Sequence, residues 1–519
     1  MLDKIKNWIL KNKIIIIIFL LTVIFFIAHR LIVYSWDYTV YLLNAKHLFN
    51  NGFYFEILRP PLVPFILGVF GNIFGYNLFL DIFYVFLVSV LFFVGVYLLT
   101  KELKINTAVV YAMMFTPFVL SYALFTGTEL LFLAFVLIAI YFLVKNSFWA
   151  GLFLGLSALT RYTGIVFVAL IFFIKGWKNK FFAFCLYLLS FIPWFVFNKI
   201  RYGNFFSSIA DQYYQNIIYR LEIIQPANVV HFLVQFSTVL SVLFCIVVVY
   251  LLFNIIRKKT NFRFFKQITK PQKKVLLIIF IIGLYTVYSY FTTPIKDPRY
   301  LFLLVLPIVS LYYLFFTYFN YSLKLKHRTI LKKAIVFIFL IVFLINLYLP
   351  YTQLVKNRYA TKEFYNETKE ILESHGLSDC LIVSNYWVFL NGVGLESIPL
   401  ESNGSNYFWI DESVIVIYKF DYDKNVLNNT FRQTDILYED DSLIIIGENC
   451  KKDFSLNLGH RSFLEQIDEL AQRNYGYSVN TNACMVIFNN HPIFEKFCNF
   501  INFNGFRLDD NRDYRICVF

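Results

Sequence analysis

Four charged residues stand inside or against apolar sequence: Asp37, Arg59, Arg161 and Arg299. A charge left in hydrocarbon without partners costs about 2.5–3.5 kcal/mol or more, so such positions need a reason. One carboxylate with several guanidinium groups suits a definite chemistry. Guanidinium stays charged in a dry site and grips oxyanions through paired N–H donors, so it stabilises a phosphate that leaves as an anion. A single carboxylate can accept the proton of an attacking hydroxyl. These parts fit transfer of a group from a phosphate ester to an alcohol. One base, with attack opposite the leaving group, predicts inversion at the attacked carbon. Retention would need a second carboxylate as nucleophile.

Each candidate also has a plainer reading. Asp37, in Ser35-Trp36-Asp37-Tyr38, is the candidate base, but Asp also makes a good helix N-cap for Tyr38 onward. Glu56 either orients Arg59 or is an interfacial charge. Arg59-Pro60-Pro61 either contacts the anion or anchors a helix start, where Pro is tolerated. Glu129, in Thr126-Gly127-Thr128-Glu129, opens an apolar run and suits a helix N-terminus as well as a site. Arg201, Asp211, Arg220 and Glu222 read as ordinary loop polarity.

The chain around these residues is built for a bilayer. It has 519 residues, of which 59% are hydrophobic, and a mean hydropathy of +0.60. That composition over that length marks a polytopic membrane protein. The net charge of +14 is divided unevenly along the chain. Met1–Pro350 holds 32 Lys and Arg against 9 Asp and Glu, and Tyr351–Phe519 holds 15 against 24. The basic residues of the first part sit in short loops between apolar runs, so the positive-inside rule explains them and nucleic acid is not implied as a partner. The basic N-terminus and Ile14–Val33 imitate a secretory signal. The run is too long and lacks a small-residue cleavage site, so it reads as a retained first helix.

Apolar runs predict spans at 14–33, 79–100, 107–126, 128–144, 178–197, 229–256, 275–293, 300–319 and 334–350. Segment 148–174 breaks at Thr160-Arg161-Tyr162 and has lysines on both flanks. It reads as a hairpin of two short helices with Arg161 at the outer tip, against the alternative of one tilted span. Residues 61–75 are apolar but short, and read as an interfacial helix. The total is about eleven spans, with the N-terminus cytoplasmic and the C-terminus outside. Domain boundaries fall at 1–350 and 351–519. The second part has short apolar runs at Leu381–Val383, Val414–Tyr418, Leu443–Gly447 and Met485–Phe488, with a helix expected over Thr361–Ser374. That pattern predicts an extracytoplasmic α/β domain. Sequons at Asn366, Asn403 and Asn428 and five of the seven cysteines lie there, and they permit but do not imply glycosylation or disulfides.

Four motifs in order carry a family resemblance across about the first 320 residues. They are Asp37 with the aromatic stretch leading to Arg59-Pro60-Pro61, Thr128-Glu129, the small-residue run Gly151–Arg161, and Asp297-Pro298-Arg299-Tyr300. The pattern resembles the C-type (GT-C) glycosyltransferase superfamily, in general plan the protein O-mannosyltransferases and lipid A aminoarabinose transferases. Arg59 departs from the latter, where the residue before Pro-Pro is commonly Lys. The resemblance implies a GT-C-like helical membrane fold and transfer of a monosaccharide from a dolichyl or undecaprenyl phosphate. The acceptor would be a hydroxyl on a protein, glycan or lipid at the outer face of the cell membrane. It implies Asp37 as base, Arg59, Arg161 and Arg299 on the donor phosphate, and Glu56, Glu129 and Tyr300 in support. No Trp-Trp-Asp triplet follows in the C-terminal part, which disfavours an oligosaccharyltransferase, and no Gly-rich phosphate loop or His cluster appears. No cofactor is required, although carboxylates alone can hold a divalent ion. The alternative is a secondary transporter or flippase, which would place charges mid-helix in two related halves.

Overall fold

In the computed structural model of the chain the described residues are 13–213 except 51 and 53, 216–217, 268–322, 341, 343–348, 359, 361–399, 401–403, 406–408, 414–419, 436–447, 484–488, 508–511 and 514–518. Helix α1 spans Lys13–Ile32, apolar from Ile14 to Ala28 apart from Thr22 and with His29 and Arg30 in its last turn, and leads into α2, Trp36–Asn50. Pro60-Pro61 precedes α3, Leu62–Phe74, which stops at Gly75 in a left-handed φ of +78°. Asn77 caps α4, Leu78–Glu102, accepting hydrogen bonds from the backbone N–H groups of Phe79 and Leu80.

The next expected span, 107–126, is not one helix. It divides into α5, Thr107–Met114, and α6, Pro117–Tyr122. Pro117 cannot donate a helical hydrogen bond, and the Thr116 side chain caps the new start by accepting from Val119 N at 3.2 Å. Helix α7, Glu129–Val144, is buried from Leu130 through Ile140, so an all-apolar helix forms the centre of the bundle.

Then come α8, Trp149–Thr160, a 3-10 helix at Tyr162–Phe173, α9, Trp177–Tyr202, and α10, Ser207–Tyr213. Helix α11 covers Lys270–Thr292, a second 3-10 helix Pro298–Leu304, and α12 Val305–Ser322. Among the described residues α1, α4, α9 and α11 are long and apolar enough to cross a membrane. Shorter apolar helices, α3, α7 and α8 among them, surround these. The expected spans at 229–256 and most of 334–350 lie outside the described residues, so the count of eleven is not established.

Polar groups gather at two ends of the bundle. At one end Lys145 Nζ lies 2.5 Å from Glu102, and Lys274 Nζ donates to Leu143 O at 2.5 Å and Asn146 Oδ1 at 2.9 Å. At the other end stand Asp37, Arg59, Arg161 and Arg299. The 16 residues of α7 separate Glu129 from this first end by about 24 Å at 1.5 Å per residue. Segment 148–174 is the expected hairpin. Lys175 N and the Asn179 amide both donate to Asn146, each at 3.0 Å, closing its base, while Arg161 reaches Glu129 at the far tip.

The C-terminal part begins with α13, Lys362–Ser374, followed by β1, Ile382–Ser384, and α14, Trp387–Gly392. Further strands are β2, Ser397–Pro399, β3, Glu401–Asn403, β4, Asn406–Phe408, β5, Val414–Tyr418, β6, Ile436–Glu439, and β7, Leu443–Ile446. A mixed sheet runs β2-β1-β5-β7-β6, parallel across the first three strands and antiparallel beyond β5. The last strands, β8, Cys484–Phe488, β9, Leu508–Asn511, and β10, Tyr514–Val518, pair antiparallel in the order β8-β10-β9. Cys380 is disulfide-bonded. Asn366 lies within α13, and the hydroxyl of Thr368, in the same sequon, is buried against Tyr418 at 2.9 Å.

This α/β unit sits on the α1–α2 junction. Val33 and Thr361 form a backbone bridge, and Tyr34 packs edge-on to Tyr365 at 6.1 Å. Val40 and Leu43 of α2 share a buried cluster with Trp387 and Val388 of α14.

Close helix contact sets one constraint that is simple to test. A Cβ on Gly151 would collide with the backbone carbonyl of Ala183 in α9, which cannot swing aside as a side chain can. Gly151→Ala is expected to lower stability by about 1–3 kcal/mol, the usual range for overpacking. Thermal unfolding in detergent measures this, and an unchanged transition would show that α8 and α9 separate at no cost.

Candidate functional site

Ser35 holds the N-cap place of α2: its carbonyl accepts from Thr39 N at 3.0 Å, and its hydroxyl lies 3.4 Å from Tyr38 N. The cap reading for Asp37 therefore does not hold. Asp37 falls in the first turn and turns its carboxylate toward two arginines. Its Oδ1 accepts from Arg59 Nη1 at 2.5 Å, and its Oδ2 accepts from Arg299 Nη1.

Each arginine is gripped from behind by a second acid. Arg59 Nε donates to Glu56 Oε2 at 2.7 Å. Glu56 is itself fixed. Tyr54 donates to its Oε1 at 2.7 Å, and the Asn44 amide meets its backbone N–H at 2.8 Å and its carbonyl at 2.9 Å. Arg299 Nε lies 2.6 Å from Asp297 Oδ2, an ion contact without hydrogen-bond alignment. Asp297 also caps the 3-10 helix, accepting from Arg299 N at 2.9 Å, with Pro298 at the first helical position. Asp-Pro-Arg is thus a compact way to start a helix and aim a guanidinium.

Burial works against the charge on Asp37, but Arg59 and Arg299 outweigh it and hold the carboxyl well below the ordinary carboxylate range. Three carboxylates, Asp37, Glu56 and Asp297, face two guanidinium groups in this cluster. A second pair lies beside it. Arg161, extended at the hairpin break, donates to Glu129, which is 1% exposed and also accepts from Thr128 at 3.0 Å. Tyr41, one turn beyond Asp37, links the two groups. Arg59 stands 5.6 Å from its ring centroid, and burial, with the charges of Asp37 and Glu129 acting against those of Arg59 and Arg161, pushes its hydroxyl up to about 12.

The structure therefore joins Asp37, Glu56, Arg59 and Arg299 in one network and places Arg161 and Glu129 as a neighbouring pair. Every one of the three arginines has a carboxylate partner. Tyr300 contributes through its backbone, donating to Asp297 O at 3.1 Å, with its ring partly buried against the bundle. Asp211 is buried in α10 and is not the solvated loop charge expected, whereas Arg201 is exposed. Arg220 and Glu222 lie outside the described residues. Among the described residues no three His, Cys, Asp or Glu side chains are grouped to hold a metal ion.

Sequence reasoning left out several participants. Asp297 stood within a quoted motif, and its spacing of two from Arg299 was the available signal. Tyr54 stood two residues before Glu56. Asn44 carried no sequence signal, because its role depends on α2 folding back against residue 56.

Residues 60–269 match glycosyltransferase family 87. ArnT from Cupriavidus metallidurans, in a crystal structure bound to undecaprenyl phosphate, has the same fold at a TM-score of 0.58. The pair is 9% identical, and the match covers 84% of this chain and 98% of that one. ArnT from the same organism in the apo state gives a TM-score of 0.55 at 11% identity, covering 88% and 100%. No curated protein matches. The chain resembles the GT-C glycosyltransferase superfamily, and family match and fold together support a membrane glycosyltransferase.

Because the folded-state pKa of Asp37 lies below its ordinary 3.8, its contribution to stability is present above that value and is lost as pH falls. Asp37→Asn leaves two guanidinium groups facing each other without their shared anion. It should lower stability by up to about 3 kcal/mol near neutral pH. The difference from wild type should shrink as pH falls below about 4. Unfolding curves of both proteins across pH check this, and a gap that stays constant would contradict it.

Proposed function

We propose that the chain is an inverting membrane glycosyltransferase that moves a monosaccharide from a polyprenyl phosphate to an acceptor hydroxyl. One observation carries the reading: a single carboxylate held between Arg59 and Arg299, each oriented from behind by its own acid. Arg59 Nε donates to Glu56 and Arg299 Nε lies against Asp297, so each guanidinium turns other N–H donors toward Asp37, an arrangement that suits a phosphate oxygen. An arriving phosphate competes with Asp37 for these donors and adds negative charge beside it. Both effects raise the proton affinity of Asp37 from its depressed resting level.

The reaction then balances simply. The acceptor oxygen bonds to the anomeric carbon from the face opposite the phosphate, and its proton passes to Asp37. The carbon–oxygen bond to phosphate breaks, and the electron pair leaves with the polyprenyl phosphate, whose added charge Arg59 and Arg299 stabilise. Arg161, paired with Glu129 next to Tyr41, is the third arginine offered to the phosphate. In this reading the arginines do the work of a divalent ion, and no cofactor is required.

We place the site at the outer membrane face. The opposite end holds Lys145, Lys175 and Lys274, the pattern of cytoplasmic loops. The disulfide at Cys380 suits an oxidising compartment for the C-terminal unit. Undecaprenyl phosphate, bound by the structural neighbour ArnT, is the polyprenyl carrier favoured here.

The test is transfer of labelled sugar from a synthetic undecaprenyl phosphate donor by purified protein, with membrane extract as acceptor. Asp37→Asn should cut turnover by at least about 10²-fold, the scale for losing an acid–base group. Arg59→Lys and Arg299→Lys should also be impaired, because an ammonium cannot reproduce the fork. Near-normal turnover by Asp37→Asn would move the base to Glu56 or Glu129.

A further inference from the structure

A second charged cluster lies directly behind the first, and the reaction does not use it. Asp81 sits in the first turn of α4. An acid there suits the helix dipole, but Asn77 already caps this terminus. The Asp81 carboxylate faces elsewhere. Its Oδ1 accepts from the hydroxyl of Tyr38 at 2.7 Å, and its Oδ2 lies 3.9 Å from Lys362 Nζ.

Tyr38 is the residue after Asp37 and is enclosed on every side. Arg30 lies 3.5 Å over its ring centroid, and Tyr84 packs at 5.8 Å. Gly127 presses so close that a Cβ there would come within 2.8 Å of the ring. Arg30 is itself held by the Leu124 carbonyl, and Tyr84 donates to Gly127 O at 2.5 Å. The turn that closes over Tyr38 is thus the turn that delivers Glu129. Lys362 is equally hard to explain locally. It is the first residue of α13, where a cation opposes the helix dipole. It instead crosses the Tyr34 ring, 4.9 Å from the centroid, toward Asp81. The groups around Asp81 are therefore Tyr34, Tyr38, Arg30 and Lys362.

We propose that Asp81 is a positioning residue: through Tyr38 it fixes the first turn of α2 so that Asp37 meets both arginines, and through Lys362 it ties that position to docking of the C-terminal unit. The glycosyl-transfer role of Asp37 rests on the function proposed above, but the geometry does not, and the two can fail separately.

Dicyclohexylcarbodiimide tests the geometry without substrate. It attacks protonated carboxyl groups, so an Asp37 held between two guanidinium groups resists it. Labelling of Asp37 is read by peptide mass spectrometry at pH 6 on full-length protein, with exposed Asp441 as internal reference. Tyr38→Phe removes one hydroxyl and keeps the ring in place. It should raise Asp37 labelling about tenfold for each unit that the pKa of Asp37 rises. Asp81→Asn should do the same, Asp81→Glu should stay near wild type, and Lys362→Met should show a smaller rise. Tyr38→Phe protein that unfolds like wild type yet labels Asp37 at the wild-type rate would overturn the Tyr38 arm. Unchanged labelling in Lys362→Met would overturn the docking arm. Absence of sugar transfer by the wild type would refute the proposed function and leave this measurement standing.

Discussion

Everything at the polar end of the bundle depends on one carboxylate sharing its two oxygens between two guanidinium groups. Asp37, Arg59 and Arg299 come from α2, the turn before α3 and the start of the 3-10 helix before α12. Arginines repel each other, and bringing two together in a partly buried place requires an anion between them. Asp37 is that anion at rest. The outer acids, Glu56 and Asp297, then hold each guanidinium from behind, Glu56 by a hydrogen bond and Asp297 by an ion contact. A phosphate between the two arginines would meet the same need, so the proposed donor complex would use the electrostatic design of the resting ion network.

The bundle serves this constraint by holding distant segments in register. The central helix α7, buried from Glu129 through Ile140, runs from the lysine end to Glu129 and carries that acid to the hairpin tip. Glycines at 151 and 155 let α8 lie against α9, which seats the break where Arg161 emerges. Pro117 divides the stretch expected as one span, and the two short helices that result end just before the Thr126–Glu129 turn over Tyr38. The C-terminal unit closes the arrangement from the other side. Trp387 packs 4.4 Å from Tyr54, whose hydroxyl holds Glu56. Docking of that unit and the aim of Arg59 are thus mechanically connected.

Much of this was legible in the residues. Long apolar runs identify α1, α4, α9 and α11, and the two lysine flanks of segment 148–174 point to a hairpin. Asp37, Arg59, Arg161 and Arg299 stand out because apolar neighbours make their charges expensive. What escaped depends on tertiary contact. That Ser35 and not Asp37 caps α2 is decided by one turn of backbone geometry. That Asp81 belongs with Tyr38 and Lys362 needs contacts across 43 residues in one case and between two structural units in the other. Asp211 is polar in type and buried in fact, and no local pattern announces that.

The claim that the Asp37–Arg59–Arg299 network is a preformed anion site is tested most directly by a structure of the protein in lipid nanodiscs with undecaprenyl phosphate bound. The account predicts phosphate oxygens on both Arg59 and Arg299, with Asp37 displaced from at least one of them and Glu56 and Asp297 still in place. A phosphate bound elsewhere, with both guanidinium groups still closed on Asp37, would contradict it.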